Sequence, residues 1–226
     1  MRFSSAVQHL ADDVVRALSG ADHAFSLSDH IGHGAHRTAG LAAVWVLGAD
    51  ALAPFVVNRL PFTSADGEVL LTAARLFGDR PGDRETPLHG LRRWALDQAS
   101  FLVGGPRLPL SDRPGALAAH EGGRDWPVWS ARMAELAFLV LPRLPNPLHA
   151  QVATGRLDLA RGLTQAILRQ DWFTAARLAR WLAAVPPLPG LNLDSALERV
   201  QLWDGHDAHA RLHLAVARVL LREGER

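Results

Sequence analysis

The sequence predicts an all-α protein of about ten to twelve helices, for three reasons. Apolar residues recur at helical spacing, with helix start and stop signals every 15 to 25 residues. No segment shows sustained alternation of β-branched residues, so strand signals are nearly absent. Hydrophobic residues make up 48% of the 226 positions, enough for a continuous core and too many for a disordered chain.

The elements follow in order. A first helix is expected over 4–19, with Ser4 as N-cap and Gly20 just past its end; Val7, Leu10, Val14, Val15 and Leu18 share one face. Ser28 or Asp29 is a weak start signal, because Gly32 and Gly34 follow, and the firm second helix is placed at 35–47. A third covers 49–60 and stops before Pro61. Thr63 or Ser64 caps a helix running to Phe77, and Thr86-Pro87 starts another that ends near Val103. Residues 104–115 hold three Pro and three Gly. They divide an N-terminal helical region, 1–105, from a C-terminal helical-hairpin region, 114–226, unless they form a loop within one continuous domain. Further helices are expected at 114–121, 125–141 with Asp125 as cap, after Asn146-Pro147, and at 156–169, 171–185, 193–203 and 206–222.

Composition limits the functional classes. Cys is absent, which excludes disulfides, thiolate metal sites and cysteine nucleophiles. With Asp12 and Asp13 inside the first helix, the N-terminus does not read as a secretory signal, and a cytoplasmic location is expected. The apolar stretch 40–57 is interrupted by Asp50 and Pro54, so it is expected to form buried helices without membrane insertion. Formal net charge is +1 and every basic residue is Arg, a pattern that GC-rich coding produces without any nucleic-acid partner. No phosphate-binding loop, dinucleotide fingerprint or nucleophile elbow is present, so no catalytic residue is assigned.

Two segments echo each other. Asp125-Trp126 leads through Ala131-Arg132-Met133-Ala134 to Pro142-Arg143-Leu144-Pro145, and Asp171-Trp172 leads through Ala175-Ala176-Arg177-Leu178 to Pro186-Pro187-Leu188-Pro189. The offset between the tryptophans, 172 minus 126, is 46 residues. The C-terminal half therefore resembles α-helical hairpin repeats of the tetratricopeptide and HEAT types. In Gln170-Asp171-Trp172, Ala175 or Ala176, and Pro186 it has the turn, second-helix Ala and terminal Pro of a tetratricopeptide repeat. The first-helix Trp and the Gly-Tyr pair of that family are missing, and the spacing is longer than its tandem period. The resemblance implies extended helical surfaces that bind protein partners.

From this follows the leading functional expectation, a non-enzymatic binding or adaptor protein. Trp126, Trp129, Trp172, Arg177 and Arg180 are its candidate partner-binding residues, because Trp and Arg dominate binding surfaces. Trp45, Trp94 and Trp181 sit in apolar helix patterns and are assigned to the core. Two alternatives remain. His30, His33 and His36, spaced i, i+3, i+6 beside Asp29, would suit a divalent metal if they share a helix face. Arg211, Arg218 and Arg222 lie on one side of the last helix and would suit phosphate, making nucleic acid a further partner class. His206, His209 and His213, on another arc of that helix, are read as edging a buried face.

Overall fold

The computed structural model describes residues 3–21, 24–32, 34–78, 86–108, 125–203 and 207–224. It is all-α, with no strand among these residues. Chain contacts divide it into two compact units, Met1–Ala116 with Leu141–Leu144, and Leu117–Val140 with Pro145–Arg226.

The first unit holds α1 (Phe3–Leu18), α2 (Ala35–Leu47), α3 (Ala53–Val57), α4 (Ser64–Phe77) and α5 (Pro87–Leu102). Helix α1 starts one residue before its expected cap, so Ser4 lies inside it. It ends as read: Gly20 adopts φ +78°, and the Ala21 amide donates to Arg16 O at 3.1 Å, closing the last turn. The expected helix 49–60 is not a regular one. Gly48–Leu52 winds as a 3-10 turn between α2 and α3, and α3 carries Pro54 in its first turn. Proline has no amide to continue a ladder from the preceding turn, which favours a break there.

Together these segments make one helical rod, His36–Val57, long and apolar enough to cross a membrane by length and composition. Within the protein, 78% of its most apolar window is buried. α1 packs on α2, the 3-10 turn and α3; α4 packs on α2, and α5 on the 3-10 turn. A helix covered on several sides needs apolar residues all round, and this accounts for its hydropathy.

Asp66 ties α4 to the chain before α2. Its carboxylate accepts Thr63 N–H at 3.0 Å and Thr63 Oγ1 at 2.7 Å on one oxygen, and Ser26 Oγ at 2.7 Å and Ser28 N–H at 3.2 Å on the other. Thr63 is thus the cap of α4, in a reciprocal capping box with Asp66. Ser28 and Asp29 do not start a long helix; they form a 3-10 turn, Ser28–His30. The residues just after α5 fold back on it. Ser100 Oγ donates to Pro106 O at 2.7 Å, and Asp97 accepts from Leu108 N–H at 2.9 Å and Arg107 Nη1 at 2.8 Å. Residues 104–108 are therefore anchored to α5. The rest of the expected linker and the expected helix 114–121 lie outside the described residues.

The second unit holds α6 (Trp126–Glu135), α7 (His149–Thr154), α8 (Arg156–Leu168), α9 (Trp172–Ala183), α10 (Leu193–Trp203) and α11 (Ala208–Gly224). α9 is its centre, packing against α6, α8, α10 and α11. Ala175, Ala176 and Ala179 are fully buried, and small side chains allow such close approach. Trp181 is also fully buried, its indole N–H donating to Met133 O of α6 at 2.6 Å. The helix expected over 125–141 is shorter, because α6 stops at Glu135 and Ala137–Leu139 form a 3-10 turn. Leu136, Ala137, Phe138, Leu139 and Val140 are all buried. A regular surface helix would turn some of these five outward.

Candidate functional site

The outer surface of α8 carries the most coherent candidate site. Leu159, Leu163 and Ala166 face the core and are buried. Leu157 and Leu168, eleven residues apart and so three turns along the same side, are 50% and 78% exposed. Between them lie Arg161 and Thr164. The side chain of Trp126, the first residue of α6, and the loop Leu188–Leu191 complete an open groove of ≈ 530 Å³. Its lining is mainly apolar, with Arg161, Thr164 and Gln165 as its polar members. Arg161 donates to Asp158 at 2.9 Å, and Asp158 sits in the first turn of α8, where the helix dipole favours an anion.

Local sequence sets the turn after α8 and the close packing of α6 on it. Asp171 caps α9 by accepting Thr174 N–H at 3.1 Å, and Gln170 reverses the chain between α8 and α9 with φ +59°. α6 approaches α8 closely: a side chain at Gly162 would meet Ser130 Cβ at 2.6 Å, and one at Gly155 would meet the Trp129 ring at 2.5 Å. These two glycines fix the seating of the helix that presents Trp126.

The five expected partner-binding residues separate. Trp126 lines the groove. Trp172, the first residue of α9, is half-buried and outside the groove lining. Arg177 lies over the Phe173 ring, 3.9 Å from its centroid. Trp129, 8% exposed, packs against Gly155, and Arg180 is fully buried. Surface contact by these last two does not fit their burial. Arg180 Nε donates to Val140 O at 2.8 Å, and its Nη1 lies 2.9 Å from His213 Nδ1. Both acceptors belong to the unit's interior, where His213 is itself 7% exposed. Of the tryptophans assigned to the core, Trp94 and Trp181 are buried and Trp45 is half-buried.

The Asp-Trp echo also separates. Both aspartates sit at the N-cap of their helices, as expected, but Asp171 makes a side-chain capping hydrogen bond and Asp125 makes none. Asp125 has φ −114° and ψ 33° and Asp171 has φ −84° and ψ 75°, and only the second carboxylate accepts an amide of its helix's first turn.

The histidine and arginine alternatives also find their places. His30 ends the 3-10 turn, with Nδ1 3.2 Å from Asp13 Oδ2 of α1 and its ring 5.6 Å from that of Phe25. His36 is exposed in the first turn of α2. His33 and His206 lie outside the described residues. Among the described residues, no three of His, Asp or Glu form a group able to hold a metal ion. On α11, Arg211 and Arg218 are half-buried and Arg222 is exposed. Arg218 donates to Gln201 of α10, and Arg222 Nε donates back to Arg218 O at 3.3 Å.

Sequence reading missed Leu157, Leu168, Leu188 and Leu191 as site residues. A signal for the first two was present, because both fall out of phase with the Leu159, Leu163, Ala166 stripe. No protein-family model matches the chain, and neither does any curated protein or solved structure.

Proposed function

We propose that the protein is a non-enzymatic binding module whose protein partner docks in the groove formed by Trp126, α8 and Leu188–Leu191. The observation that supports this reading most directly is the pair of exposed leucines on the outer side of α8. Leu157 and Leu168 lie off the buried stripe of α8 and stand at 50% and 78% exposure, three turns apart, in a groove that Trp126 also lines. Covering a leucine removes apolar area worth about 25 cal/mol per Å², so a partner that fills the groove gains from both leucines and from Trp126. The resemblance to tetratricopeptide-type hairpins supports the same reading, since such arrays bind partners on helical surfaces.

A photoreactive amino acid at position 168 tests the proposal, with the same substitution at Leu202 as control. Leu202 is 81% exposed and lies on α10, outside the groove. In the living cell, position 168 is expected to give a discrete crosslinked protein that position 202 does not, and Trp126→Ala is expected to abolish it. Identical adducts at both positions, or none at 168, would sink the proposal.

A further inference from the structure

We draw no further inference here: the strongest candidate, the apolar groove between α8 and the Leu188–Leu191 loop of the second unit, belongs to the site already described, and nothing in the structure shows what covers it.

Discussion

Nη1 of Arg180 on α9 lies 2.9 Å from Nδ1 of His213 on α11, with both side chains inside the second unit. A guanidinium only donates, so Nδ1 of His213 must present its lone pair to Arg180 and carry no proton. The imidazole therefore acts as a fixed acceptor for a buried cation. His213→Leu keeps the site filled but removes that acceptor. It is expected to lower unfolding free energy by about 1.5–3 kcal/mol, the range for a hydrogen bond to a charged group. His213→Gln retains an acceptor oxygen and is expected to lose less than half as much. Urea titrations of the three proteins measure the difference. Equal losses in the two variants would mean that packing, and not the hydrogen bond, is what His213 supplies.

Asp66 predicts how the first unit responds to acid. Burial raises the cost of its charge, but hydrogen bonds from the Thr63 amide and hydroxyl, Ser26 Oγ and the Ser28 amide outweigh it and hold the carboxyl below its ordinary value. The unfolded chain then binds the proton more readily than the folded one. Stability from this group is fully present above the ordinary value of about 3.8 and is lost as pH falls through the folded value. Asp66→Asn replaces one acceptor oxygen with a donor that faces donors. It is expected to cost about 2–3 kcal/mol at neutral pH and to flatten the fall of stability below about pH 4. Denaturation midpoints taken from pH 7 downward check this. A variant whose acid limb parallels that of the wild type would refute the assignment.

These two sites show what was legible in the sequence. The start of α4 was legible, because Thr63 and Asp66 are three residues apart and a capping box is local. The donors Ser26 and Ser28 were not, because they reach Asp66 across 40 and 38 residues. Arg180 was read as a surface residue by its type. Its sequence neighbours support that reading, since Ala175, Ala176, Leu178, Ala179, Trp181 and Leu182 spread over about 220° of α9 and leave Arg180 in the remaining arc with Arg177. Packing by α6, α8, α10 and α11 covers that arc as well, and a cation buried there needs an internal partner. That the partner is His213, 33 residues away, follows only from the packing of α11 on α9. The groove divides in the same way. Leu157 and Leu168 betray themselves by phase, but the approach of Leu188–Leu191 is tertiary.

Gly162 of α8 lies against Ser130 of α6. An Ala Cβ at 162 would stand 2.6 Å from Ser130 Cβ, 2.7 Å from its Oγ and 3.2 Å from Leu178 Cδ1. Ser130 is 3% exposed, so neither partner can swing into solvent. Gly162→Ala is expected to destabilise the protein by about 1–3 kcal/mol, as overpacking does. Ser130→Gly should open the space, so the double variant is expected to be more stable than the sum of the two single losses. Strict additivity in that cycle would show that the helices separate without resistance.

Gln170 ends α8 in the left-handed region, with φ +59°. The following amide, Asp171 N–H, donates to Ala166 O at 2.9 Å, and Gln170 N–H donates to Ile167 O at 3.1 Å, so the turn satisfies carbonyls that the helix end leaves open. A side chain in this conformation costs about 1–2 kcal/mol, which glycine avoids. Part of that gain is offset because glycine loses more backbone freedom on folding. Gln170 is exposed and lies outside the groove lining, so its side chain contributes little else. Gln170→Gly is therefore expected to stabilise the second unit by about 0.5–1 kcal/mol, and Gln170→Val to destabilise it by a similar amount, since a β-branched residue tolerates positive φ least. Thermal midpoints give the sign, and amide exchange at Asp171 gives the location, with slower exchange expected in the glycine variant. A glycine variant that melts earlier and exchanges faster at Asp171 would show that the reversal after α8 owes its geometry to contacts of the glutamine itself.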